Sequence, residues 1–193
     1  MRLATDGDVE TWLDLTTGRQ LVGRAYRDEQ SPPTARESVM SETPLIDVAI
    51  AAVEARGWSY QRDGDASAIA YPVRGARATY EGVVATTEEA RFLTVYCAFA
   101  PRVPEARRPA MLEAIARANF GLHTGCFEMD FGDGELRFRD GLIARGTEMP
   151  PRMMRDLINF GIFICDRYHD ALMGVAFGDV EPAVAIAAVE GGE

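Results

Sequence analysis

At 193 residues the chain is long enough for one ordinary domain with a substantial core, and 47% hydrophobic with 26% charged residues is a globular balance. A formal charge of −10 weighs against nucleic acid as a partner, because phosphates must be met by excess positive charge; all 20 basic residues are arginine, so lysine Schiff-base and phosphate-loop chemistry are excluded. No apolar run reaches membrane-spanning length, the N-terminus shows no basic segment followed by an apolar stretch, and Cys97, Cys126 and Cys165 form no disulfide framework, so a cytoplasmic, reducing setting away from membranes is expected.

Residues 1–42 read as an N-terminal extension to the main domain. Trp12, Leu13, Leu15, Leu21 and Val22 supply enough apolar material for one short strand or helical turn, and Ser31-Pro32-Pro33 interrupts it. The main domain is expected over 43–178. Thr43-Pro44 is a helix entry, a hydroxyl cap followed by proline at the first helical position. That helix carries Leu45, Val48, Ala49, Ala52 and Val53 inward, and Gly57 closes it. Its other side holds Ile46 and Ile50, a surplus apolar surface and hence a candidate dimer or client contact.

Four strands follow, over 58–62, 68–73, 78–86 and 92–99, with Asp63-Gly64, Arg74-Gly75 and residues 87–90 as breaks. In the last of them Leu93, Val95, Cys97 and Phe99 share one face, opposite Phe92, Thr94 and Tyr96. A second helix is expected over about 105–120. Pro109 forbids a regular start much before Arg107 or Arg108, and Gly121 is expected to end the helix in the left-handed conformation.

A hairpin is then written into residues 126–139. Asp133-Gly134 signals a two-residue type I′ turn, which pairs Phe131 with Leu136, Asp130 with Arg137, Met129 with Phe138 and Glu128 with Arg139. Apolar residues then meet on one face, and carboxylates meet guanidiniums on the other. Pro150-Pro151 opens a third helix with Met154, Leu157, Ile158, Gly161, Ile164, Cys165, Tyr168 and Leu172 at helical spacing. Residues 179–193 read as a loose acidic tail. The expected architecture is α+β, in the order α-β-β-β-β-α-β-β-α, with helices on one face of a mostly antiparallel sheet.

Several fragments taken in order resemble the YbjN family: Arg91-Phe-Leu-Thr-Val-Tyr, Val103-Pro-Glu-Ala-Arg-Arg, Asn119-Phe-Gly-Leu, Gly125-Cys-Phe-Glu-Met-Asp, Asp133-Gly-Glu-Leu-Arg-Phe-Arg and Asp166-Arg-Tyr. The resemblance spans about 43–178 and implies a fold similar to the type III secretion chaperones, which are small, acidic, dimeric and bind other proteins. The family's members are described as bacterial sensory transduction regulators. The resemblance implies no catalytic residues and no cofactor.

The residues themselves agree with that reading. His123-x-x-Cys126 and Cys165-x-x-x-His169 carry zinc-type ligands, but Cys126 is expected on the Glu128 face of its strand and Cys165 in the apolar stripe of the third helix, so no metal site is assigned. Asp63-Gly64-Asp65 and residues 130–133 lack the alternating oxygens of a calcium loop and read as turns. The expected protein-binding residues are Phe92, Tyr96, Glu128, Asp130, Arg137 and Arg139, an exposed mixture of aromatics and arginines. The expected function is a non-enzymatic, homodimeric, regulatory or chaperone-like module that binds a protein client. The alternatives are a small-metabolite-sensing regulator and a thiol redox sensor using Cys126 and His123.

Overall fold

The computed structural model describes residues 43–62, 67–146 and 148–191, together with the backbone of 2–6, 9–13 and 20–24. The chain divides into two compact units, Met1–Met40 and Ser41–Glu193. The first contains three strands, β1 (Arg2–Asp6), β2 (Val9–Leu13) and β3 (Gln20–Arg24), in an antiparallel meander of that order. One short element was expected there. Each strand is only five residues long, with too few apolar positions for its period to stand out, whereas backbone pairing needs no such pattern. The expected Ser31-Pro32-Pro33 break and the Asp63-Gly64 turn, with the calcium-like Asp63-Gly64-Asp65, lie outside the described residues.

The second unit runs α1 (Leu45–Glu54), β4 (Gln61–Arg62), β5 (Ala68–Arg74), β6 (Thr79–Thr87), β7 (Phe92–Phe99), α2 (Arg108–Gly121), β8 (Cys126–Met129), β9 (Leu136–Ile143), α3 (Pro151–Phe177) and α4 (Pro182–Glu190). Its six strands form one antiparallel sheet in the order β4-β5-β6-β7-β9-β8. The fold is α+β as the sequence indicates. All the helix contacts lie on one side of the sheet, where Leu93, Val95, Cys97 and Phe99 are buried beneath α3. Phe127 packs edge-on against both Phe138 and Tyr168, joining sheet and helix in one aromatic core.

The helix starts follow local chemistry only in part. Proline occupies the first turn of α2 and of α3, where its missing N–H costs nothing. In α1, however, Pro44 rather than Thr43 is the cap residue, and it offers no side chain. The Glu88 carboxylate, from the β6–β7 turn, accepts the N–H groups of Leu45 and Ile46 at 3.0 Å each and does the capping from a distance. Gly121 also departs from expectation: it stays helical, and its lack of a side chain makes room for Glu190, whose Oε1 would lie 2.7 Å from a Cβ there.

Two further corrections concern the ends of the domain. Ile46 is 7% exposed and Ile50 is half-buried against the core, so α1 presents no spare apolar side; it lies against α3 as well as β5 and β6. The expected loose tail contains α4, which buries Ala185 and Ile186 and packs on α2 and α3. Tyr168 pins it, its hydroxyl donating to Glu190 Oε1 at 2.9 Å.

The β8–β9 hairpin keeps the expected faces but shifts the register by two residues. Glu128 pairs with Arg137, Met129 with Leu136, Phe127 with Phe138 and Cys126 with Arg139. Asp130 and Glu135 close a loop of residues 131–134 in place of a two-residue turn. Strand side chains alternate with period two, so an even shift preserves both faces. The loop wins because it is stapled. Asp130 and Asp133 accept the N–H groups of Gly132 (2.7 Å) and Glu135 (2.8 Å), and Arg108 donates to the carbonyls of Phe131 and Gly132. Gly134, at φ +80°, accepts the Val103 N–H at 2.8 Å, and a Cβ there would sit 2.3 Å from the Val103 carbonyl oxygen.

Strand β8 ends the sheet, and its outer edge is closed by a side chain. Asn119 Oδ1 accepts the Phe127 N–H at 2.7 Å while its Nδ2 donates to the Phe127 carbonyl at 2.9 Å, imitating a neighbouring strand. Asn119→Ala should therefore cost about 2 kcal/mol and speed hydrogen exchange at the Phe127 amide. Unchanged protection at that amide would show that the edge is closed by something else.

Candidate protein-binding face

With the helices all on one side, the other side of the sheet is covered by no helix or strand among the described residues of this unit. Alternation brings Glu81, Val83 and Ala85 of β6, Phe92, Thr94, Tyr96 and Ala98 of β7, Arg137, Arg139 and Ile143 of β9, and Cys126 and Glu128 of β8 to that side.

Toward the β8 edge of this face the Glu128 carboxylate bridges two guanidiniums. Arg137 Nε donates to one oxygen at 2.6 Å, and Arg139 Nε lies 3.0 Å from the other. Arg137 also lies 3.2 Å from Glu135 and stacks over the Tyr96 ring, 4.4 Å from its centroid. Burial alone would lower the pKa of Arg139, but the Glu128 charge and the nearby Cys126 thiol raise it above its usual value. Half-buried Arg–carboxylate pairs of this kind hold planar donors in a fixed orientation, ready to meet a polar surface.

Phe92 lies farther along the face, 37% exposed, and pairs across the strands with Ile143, 64% exposed. A small hollow of about 170 Å³, bordered by Thr94, Cys126, Arg139 and Gly141, separates this apolar end from the charged one. Toward the opposite edge a groove of about 630 Å³ runs between the Ser59–Gln61 segment and Ala70, Pro72, Glu81 and Ala100.

Of the residues expected to bind protein, Tyr96, Glu128, Arg137 and Arg139 converge, and Phe92 shares their face. Asp130 does not join them; it is spent on the hairpin loop, as the shifted register requires. The sequence reading missed Glu135 and Arg102, which extend the ion-pair network past the loop. Glu135 was findable, standing two residues before Arg137 and therefore on its face of the strand.

The zinc-type ligands do not meet. Cys165 is wholly buried beside the Cys97 carbonyl, with its thiol pKa pushed up by burial, whereas Cys126 lies on the open face with its sulfur 3.7 Å from Arg139 Nη2. His169 sits against the rings of Tyr80 and Phe99. Among the described residues no three metal-capable side chains come together, and no helix is long and apolar enough to cross a membrane.

Comparison with known proteins gives one family. The family model named YbjN, described as "Putative bacterial sensory transduction regulator", matches residues 46–173. Among solved structures, YbjN from E. coli, described as a putative transcription regulator, is similar at 14% identity, with 67% of this chain and 97% of that chain covered and a TM-score of 0.43. No curated protein matches the chain.

Proposed function

This chain belongs to the YbjN family, and from that premise we propose that it is a regulatory, protein-binding module that receives a client on the open face of its sheet. The observation that carries this reading is the combination of the ion-paired Arg137 and Arg139, with Arg137 stacked on Tyr96, and the exposed apolar pair Phe92 and Ile143 on one face of the sheet. Aromatic residues and arginine are the types enriched where proteins meet. The net charge of −10 argues against a nucleic-acid partner. The module works in the cytoplasm as a homodimer, in the manner of the secretion chaperones whose fold the family resemblance implies, and performs no catalysis.

A C-terminally tagged chain expressed in its own host should retain a stoichiometric protein partner. Arg137→Glu with Arg139→Glu should weaken that partner's binding by about 30-fold or more. Because those changes also disturb Glu128, Ile143→Asp serves as a second variant on the same face and outside the ion-pair network. A partner retained by both variants, each folded by circular dichroism, would rule this face out as the docking site.

A metabolite-sensing reading is favoured by the 630 Å³ groove, which has the size of a small-molecule site. The thiol-sensor reading has the Cys126–Arg139 contact in its favour.

A further inference from the structure

Helix α4 has an unusual composition for a surface helix. Its nine residues, Pro-Ala-Val-Ala-Ile-Ala-Ala-Val-Glu, carry a single charge at the last position. A helix apolar all round is normally covered all round. Here only Ala185 and Ile186 with Pro182 are buried, while Val184 is 64% exposed and Ala183, Ala187 and Ala188 also face outward.

The neighbouring helix α2 continues that surface. Leu112 is 45% exposed and Phe120 is 95% exposed, with exposed Ala116 midway between them at four-residue spacing. A phenyl ring standing almost free in water is a large unburied apolar area. Beside it lies a groove of about 520 Å³, bordered by Glu113, Ala116, Arg117, Ala183 and Ala187. A projecting ring and a small-residue groove therefore stand side by side on one face.

We infer that the α2–α4 face is the contact through which two copies of this chain pair, each inserting Phe120 into the groove of the other. The occupant is a second copy because the face complements itself. If α2 crosses an antiparallel α2 at Ala116, Leu112 and Phe120 lie equal distances on either side of the crossing, so each meets the other's counterpart. Glu113 and Arg117, an ion pair at 2.8 Å on the same helix, offer one charge of each sign, so acid faces base on both sides of the two-fold axis. The small side chain at Ala116 lets the helices approach closely. The platform is already set within a single copy, since Tyr168 holds Glu190 and thereby α4 in place.

This inference rests on the homodimer reading above, and sedimentation equilibrium of the full chain at micromolar concentration tests the two separately. The wild-type chain should sediment as a dimer, and Phe120→Asp should weaken association by roughly a hundredfold. Phe120 makes almost no contacts within its own copy, so the variant should melt like the wild type. Glu113→Arg and Arg117→Glu should each dimerise poorly alone and recover when mixed. A monomeric wild type would overturn the homodimer reading and this face together. A wild-type dimer that Phe120→Asp leaves intact would overturn the face alone, and failure of the mixed variants to recover would overturn the antiparallel crossing.

Discussion

Replacing Asp166 by alanine should cost about 3 kcal/mol of folding stability and lower the melting temperature by roughly 10 °C. This carboxylate, just past the midpoint of α3, locks the helix to the β5–β6 turn. It accepts the N–H of Ala76 at 2.7 Å, the N–H of Arg77 at 2.9 Å and the Tyr80 hydroxyl at 2.9 Å. Tyr80 is 2% exposed, so its hydroxyl has nowhere else to turn. Gly75 lets the carboxylate approach, because a Cβ there would lie 2.5 Å from Oδ1. Asp166→Asn keeps the shape but sets an amide N–H against a backbone donor, and should cost about 2 kcal/mol.

The same group sets an acid dependence. Burial pushes the Asp166 carboxyl up, but the two backbone N–H groups and the Tyr80 hydroxyl outweigh it and hold the folded-state value below the ordinary 3.8. A depressed folded value means that the unfolded chain takes up the proton first. The stabilisation is therefore complete above the ordinary carboxylate range and is lost as pH falls below about 4. Melting curves between pH 7 and pH 3 should show a steeper acid-side loss for the wild type than for Asp166→Asn. Parallel curves, or an alanine variant that melts within a degree or two of the wild type, would remove Asp166 as the lock.

The second large effect is expected at Gly82, the cross-strand partner of Tyr71. Tyr71 lies across the space that a side chain would fill: a Cβ on Gly82 would sit 2.3 Å from Cε2 and 2.5 Å from Cζ of its ring. The ring has no retreat. It is 2% exposed and stacks on Trp58 at 5.7 Å, and Arg56 in turn lies over the Trp58 ring, 5.0 Å from its centroid. Gly82→Ala should therefore destabilise by about 3 kcal/mol through overpacking and change the fluorescence of Trp58. In a Tyr71→Leu background the same substitution should cost less than about 1 kcal/mol, because the clash is gone. Equal costs in both backgrounds would place the strain in the β6 backbone instead.

What could be read from the sequence was mostly periodicity. The stripe of α3 and the buried face of β7 carry clear 3.6-residue and two-residue repeats, and both stand as expected. The proline at 109 marked the start of α2 to within a residue. The hairpin faces were legible while its register was not, since alternation is blind to a shift of two. The loop was decided by Arg108, Val103 and Gly134, distant contacts that no local pattern encodes. Helix α4 escaped notice for a related reason: eight apolar residues and one terminal glutamate have no polar face from which to measure a period. The cap on α1 came from Glu88, more than forty residues away. In the candidate face, Tyr96, Glu128, Arg137 and Arg139 were found by strand parity alone, whereas Asp130 was misplaced by the register; on the separate α2–α4 face, Phe120 was hidden behind a reading of its neighbours as a helix stop.

The unequal shielding of the three sulfurs turns the molecule into its own optical probe. Cys97 and Cys165 are sealed in the interior, so a maleimide dye added to the native protein reaches Cys126 selectively. A fluorophore tethered there sits beside Arg139 on the open side of the sheet, and its emission and anisotropy respond to whatever settles on that side. Occupancy can then be followed in real time, in dilute solution or in a crude extract, without engineering a single residue.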